Sequence, residues 1–443
     1  MPKKEISLRE AVALGIGGMV GGGIFSVLGL SVQMAGHASY LAFLVGGAIA
    51  GITGYSYAKL GVRYESEGGS FTYLEKAFRG DYFPTFGGWL LLLGYIATLS
   101  LYAFAFGAYG ASFFADLPYQ GIIQHLFASL VLIVFVGINL IGVKEAGVSE
   151  DLIVGVKLAI LILFTAAGLF FINRTNLLPV FNTGISGALM GAALIFVAYE
   201  GFELIPNSVK EMQDPARTLP RAIYTAIGVV TVLYVLVALV AVGNLPAAQL
   251  IKSKEYALAV AAKPFLGQAG FSLIAIAALL STASAINATL FGTARLGAVM
   301  ATERDLPRLF SFREKTKDIP WGSLVALGAI TLIFVNVGSL TDIASVSSMV
   351  FLTIFLLVNL ANARLHRETA SSTVISGLGA VFCLIALVVL GVYLYSYTRA
   401  SLMLGVGLYA AVGGLSALFT KKAHRKTKKE NRKKQCLRRS LYR

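Results

Sequence analysis

Charge is scarce in this chain: only 13% of its 443 residues are Asp, Glu, Lys or Arg, and the acids number 22. That is too little to cover the surface of a soluble domain of this length. Histidine is rarer still, with His37, His125, His366 and His424 the complete set and no His-Glu-x-x-His spacing among them. No Gly-Lys-Ser/Thr phosphate loop occurs, and "GIGGMV", which opens like a dinucleotide fingerprint, carries Val20 in place of the final glycine. Metal-dependent hydrolysis, ATP-driven and redox chemistry therefore have no motif to stand on. The two cysteines, Cys383 in an apolar run and Cys436 in a basic tail, sit in environments too different to suggest a disulfide or a metal pair. The polar "MPKKEISLRE" leads into an apolar stretch without a small-residue cleavage pattern, so the first helix is expected to be retained. No enzyme activity, cofactor or metal is expected.

What the chain has in abundance is apolar sequence, 57% of residues, with a mean hydropathy of +0.76. A membrane-crossing helix needs about 20 apolar residues. Runs of that kind give about twelve spans, starting near residues 9, 39, 84, 121, 150, 185, 221, 268, 321, 341, 371 and 400. The fold class is thus an all-α integral membrane protein. Basic residues gather in alternate loops: Arg63, Lys76 and Arg79; Lys210, Arg217 and Arg221; Arg304, Arg308, Arg313, Lys315 and Lys317; and 364 to 367. Those loops are expected to face the cytoplasm, together with both termini. The formal charge of +15 comes mainly from Lys421 to Arg443, which holds twelve Lys/Arg against Glu430 and leaves the remainder at +4. This tail reads as an unstructured anchor beside anionic lipid rather than a nucleic-acid arm, since Tyr442 is its one aromatic residue. Between spans 7 and 8, residues 244 to 266 have helical spacing and a stop at Lys263-Pro264.

Two spans look interrupted. "GGMVGGGIFSVLG" places five glycines in seven positions of span 1, and "GALMGAALIFVAYEGFELIPNSV" puts Glu200, Gly201 and Glu203 in the middle of span 6. Each opens a group of five spans, and an odd number makes any repeat an inverted one. The boundaries that follow are 1–172 for the first unit, 173–370 for the second, 371–420 for two further helices and 421–443 for the tail. Unwound backbone at membrane depth is tolerated where it lines a cavity. Helix N-termini there suit a carboxylate and free carbonyls suit an ammonium or a cation. A zwitterionic amino acid matches both. Small residues for close helix packing are the plainer reading of the glycines taken alone.

Lys157, about seven residues into span 5, has two readings by position. It either snorkels to the interface or is a buried lysine that releases and takes up protons. Glu200 either aims at a cationic substrate or pairs with protein donors. Tyr199 and Phe202 either cover a substrate or simply pack.

"GIGGMVGGGIFSVLG", "FVAYEGFELIPNSVKEMQDPARTLPRAI" and "NATLFGTARLGAVMATERDLPRLF" resemble the amino acid-polyamine-organocation superfamily of transporters across roughly residues 5 to 420. The middle segment is the most specific: Gly201-Phe202, Glu211, Asp214-Pro215, Arg217 and Pro220-Arg221-Ala222-Ile223 fall at the family offsets, with Asp214 where Asn is usual. "VGVKLAILIL", "NLPAAQLIK" and "ALAVAAKPFLG" look most like the archaeal proton-coupled, broad-specificity members. The resemblance implies a five-plus-five inverted repeat, alternating access and amino acid uptake by proton symport. Its partners would be an amino acid, protons and the bilayer of the plasma membrane, with no nucleic acid. It implies that Lys157 faces Gly17 and a hydroxyl of Ser281, Thr282 or Ser284, Ser281 aligning best, and that Glu203 is a second proton candidate. It implies substrate contact at Met19, Gly21, Gly22, Gly23 and Ile24 of span 1 and at Phe196, Tyr199, Glu200, Gly201 and Phe202 of span 6. An arginine or polyamine exchanger of the same superfamily is the alternative, and a channel or substrate-sensing receptor on the same fold is the rival from another class.

Overall fold

The computed structural model describes residues 6–66, 68–78, 80, 82–114, 117–142, 147–303, 305–314 and 318–441, with the side chains of 147–151 and 421–441 left aside. Arg79, Arg304, Lys315 and Lys317 lie outside the described residues.

Among the described residues all regular structure is helical apart from one isolated bridge between Ile6 and Met212. In chain order the α-helices are α1 (Leu8–Met19), α2 (Gly23–Ala35), α3 (Ser39–Tyr64), α4 (Gly69–Ala77), α5 (Tyr82–Ser112), α6 (Gln120–Ile141), α7 (Gly147–Leu169) and α8 (Gly184–Leu194). Two 3₁₀ turns follow, Phe196–Tyr199 and Phe202–Glu211. Then come α9 (Pro215–Asn244), α10 (Ala247–Lys252), α11 (Ala257–Thr302), α12 (Trp321–Val337), α13 (Leu340–Arg364), α14 (His366–Thr369), α15 (Thr373–Tyr397) and α16 (Arg399–Leu441).

Nine helices among the described residues are long and apolar enough to cross a membrane, ten if the pair bent by 50° at Ile195 is one span. The count of about twelve from the apolar runs differs for two reasons. α12 has 17 residues, short of a full crossing, and α2 joins α3 with only a one-turn corner at Gly36–Ala38, so the two read as one long element. The starts of the helices otherwise fall where the apolar runs begin.

Local chemistry explains several ends. Ser7 and Glu10 cap α1 reciprocally, as Ser339 and Asp342 cap α13, so two N–H groups at each helix start find an oxygen. The helix ends three residues beyond the expected Lys263-Pro264 stop: Pro264 lies inside it, the chain turns at Gly267, where φ is +61° and a side chain would strain the backbone, and helix resumes at residue 268, where span 8 is expected to start.

α5 is enclosed for most of its length, whereas α6, α15 and α16 expose most of theirs through residues such as Ile122, Leu126, Val381 and Val388. Apolar surface of that extent on outward faces is what a bilayer covers. The core therefore lies along α5, around α1, α2, the two 3₁₀ turns, α11 and α13.

Candidate functional site

α1 ends at Met19 and α2 starts at Gly23, so the last carbonyls of α1 have no following turn to serve. Side chains from three other helices meet them. Lys157 Nζ of α7 donates to Gly17 O at 3.0 Å, Tyr234 OH of α9 to Met19 O at 2.6 Å, and Ser281 Oγ of α11 to Val20 O at 2.6 Å. The C-terminal end of a helix favours a cation, and Lys157 stands there with 2% of its surface exposed. The ammonium is thus buried on the backbone rather than snorkelling. Ser281 donates to Val20 rather than to a group of its own helix, whereas Thr282 donates back to Ala278 O at 2.7 Å.

The second interruption is stitched from the other side. Ser348 Oγ of α13 donates to Leu194 O at 2.7 Å and accepts from Val197 N at 3.0 Å, spanning the bend. Glu203 Oε2 accepts from Gly201 N at 2.6 Å, while its Oε1 is buried with no hydrogen-bond partner among the described residues. Glu200 Oε2 accepts from Thr98 Oγ1 of α5, which lies 2.8 Å from Ser347 Oγ of α13. Glu200 keeps 4% of its surface accessible.

The two breaks touch. Gly201 has φ +127°, and a Cβ there would come within 2.4 Å of Met19 N and 2.5 Å of Gly18 C, so peptide packs on peptide with no side chain between. Tyr234 OH, 2.6 Å from Met19 O, is also 3.2 Å from Ala198 O and thereby reaches both interruptions. Gly22 lies under the ring of Tyr102, Gly21 against Ala285, and Gly23 against Tyr234 OH and Ala198 O. Ile24, Met19 and Phe196 are fully buried beside them. Tyr199 turns away to α3, donating to Phe43 O at 2.5 Å, and Phe202 packs its ring on Tyr57 and Phe355.

The residues named from sequence therefore fall into one region, within which the Tyr199 ring packs on Phe196 and Tyr234. Sequence reasoning missed Thr98, Tyr102, Tyr234, Ser347 and Ser348. All lie in mostly apolar runs that carry several hydroxyls: Thr98 is followed by Ser100 and Tyr102, and Ser347 and Ser348 are adjacent. The available signal was spacing: Thr98 and Tyr102 are four residues apart, which puts both on one face of α5.

Two interrupted helices meeting inside a multi-pass bundle, with carbonyls and N–H groups held by neighbouring helices, are the architecture of a membrane transport protein. The chain belongs to the amino acid permease family, whose profile matches residues 6–412, and it is a transporter rather than an enzyme. It is 35% identical over 395 residues to an uncharacterized protein of Methanocaldococcus jannaschii, with 89% of each chain covered. It is 34% identical over 388 residues to the inner membrane transport protein YbaT of Escherichia coli K12, covering 87% of this chain and 89% of that one. The methylthioribose transporter of Bacillus subtilis is 27% identical over 389 residues, 83% of each chain.

Proposed function

We propose that this permease takes up amino acids by proton symport through alternating access, in the manner of the archaeal proton-coupled members it resembles. The substrate carboxylate lies at the N–H groups that open α2, around Gly21, Gly22 and Gly23. Its ammonium lies at the carbonyls of the two interruptions. Lys157 is the proton carrier: protonated, it holds the α1 end through Gly17 O; neutral, it lets go, so proton binding biases a two-state element. Ser281 supports the same element from α11, and Glu203, with one oxygen unpartnered, is the second acid. Residues 1–172 and 173–370 form the inverted pair, both termini face the cytoplasm, and the site of action is the plasma membrane.

The observation that carries this reading is the 3.0 Å contact of the buried Lys157 ammonium with Gly17 O, at the point where α1 gives way. One feature favours the alternative of an arginine or polyamine exchanger, namely the Glu200 carboxylate in the second break. Proteoliposomes separate the readings. A symporter accumulates amino acid under an imposed proton gradient, an exchanger needs amino acid inside, and a channel only equilibrates. Lys157→Ala is expected to abolish gradient-driven accumulation while the protein still inserts and folds. Undiminished accumulation by that variant removes Lys157 from the mechanism.

A further inference from the structure

Away from the breaks, at the end of the bundle that carries the basic loops, a cavity of about 590 Å³ opens between α3, the start of α9 and the turn of α14. One wall of it is charged in both senses. Lys59 and Arg63 stand on α3, Glu65 closes that helix, and Glu368 comes from α14. The wall is braced by hydrogen bonds. Lys59 Nζ donates to Ala370 O at 3.1 Å, leaving two further N–H bonds on the ammonium. Tyr64 OH donates to Glu368 Oε2 at 2.9 Å, and Ser372 N donates to Tyr55 OH at 2.7 Å. Arg63 enters no hydrogen bond or ion pair among the described residues.

Depth along the helices orders these groups. Lys59 and Arg63 lie within about 8 Å of the α3 end, at 1.5 Å per residue. Tyr55 of α3 and Tyr224 of α9 are each nine residues from their helix ends on this side, about 14 Å in. Gly51 and Gly228 are each thirteen residues in, about 20 Å, and a Cβ at either would meet nothing within 4 Å. Charges lie outermost, phenols beneath, and two glycines whose side-chain positions stand open deepest. That sequence follows a phospholipid from headgroup through ester to acyl chain.

We propose that this cavity binds an aminophospholipid of the phosphatidylethanolamine class. Its phosphate rests on Lys59 and Arg63, its ammonium on Glu368 and Glu65, and one acyl chain lies in a furrow past Gly51 and Gly228. Two cations facing two carboxylates suit a headgroup that itself carries both signs. A primary ammonium donates hydrogen bonds to carboxylates, which a quaternary one cannot. The lipid would join α3 to α9, the helices that hold Tyr199 through Phe43 O and both breaks through Tyr234.

The test is thermal unfolding of the delipidated full-length protein in detergent, titrated with phosphatidylethanolamine, phosphatidylcholine, phosphatidylglycerol or chain-free phosphoethanolamine. Binding to the folded state raises the midpoint. The expected result is a saturable rise with phosphatidylethanolamine and a clearly smaller one with the other three. An equal rise with phosphatidylcholine or phosphatidylglycerol overturns the headgroup assignment, and an equal rise with phosphoethanolamine overturns the furrow. The double variant Lys59→Ala/Arg63→Ala should weaken half-saturation about tenfold. Gly228→Leu projects into open space and so should fold normally while closing the furrow, with a loss of similar size. Wild-type half-saturation in Gly228→Leu refutes the proposal even if the double variant is unstable.

Discussion

Tyr234 shows how much a single hydroxyl can hold. Removing it in Tyr234→Phe keeps the ring between Phe43 and Tyr199 but withdraws the donor from Met19 O and the contact with Ala198 O. A buried carbonyl left unsatisfied costs about 1–3 kcal/mol, so the unfolding midpoint should fall, and uptake should fall more steeply than the folded fraction does. Equal losses in both would mean the hydroxyl serves stability alone. Gly201 offers a sharper contrast. Gly201→Ala forces a methyl to 2.4 Å from Met19 N at φ +127°, and it should abolish uptake and destabilise by about 3 kcal/mol or more. Gly137→Ala, on the open face of α6, should be neutral or slightly stabilising by the same assay. Lys157 was legible in the sequence because a charge inside an apolar run has few explanations. Tyr234 was not, since a tyrosine in such a run is usually ordinary packing and only the fold reveals which carbonyls it reaches.

Among the elements, the loop joining α10 to α11 carries a titratable group whose setting can be read directly. Burial pushes the Glu255 carboxyl above its ordinary value, against the opposing pull of Lys254 and Gln124. A carboxyl raised in the folded state binds its proton more tightly there than in the unfolded chain. Its contribution to stability is therefore full below the unfolded value and is lost as pH rises through the folded one. Glu255→Gln should raise the unfolding midpoint at pH 7, with the gain shrinking toward pH 4. A gain that does not vary with pH would show that the charge is irrelevant. The positions of most helices were legible because apolar length is a strong signal. The bend of α11 at Gly267 was legible as the boundary between the segment 244 to 266 and the span starting near 268, although Pro264 three residues earlier is the louder marker in the sequence.

For the molecule as a whole, sidedness is the proposal most easily examined. Cys383 is buried against Thr53 and Asn359, whereas Cys436 belongs to the basic tail. A membrane-impermeant maleimide applied to right-side-out vesicles should leave the protein unlabelled, and permeabilised vesicles should take up one label per chain. Labelling of sealed vesicles would place the tail outside. The general architecture could be read from one sequence, but the joining of distant segments could not, because backbone contacts leave no compositional trace. The leading end of α1 illustrates this. Ile6 N donates to Glu211 O at 2.6 Å and Gln213 N to Ile6 O at 3.2 Å, while at the far end of α1 Gly18 lies against Gly201. The first half-helix and the stretch from Phe202 to Glu211 are thus riveted at both extremities, main chain to main chain. Such a joint has no soft padding to absorb shear. The two pieces should swing as a single gate leaf, with spin labels placed across them keeping a fixed separation throughout the cycle.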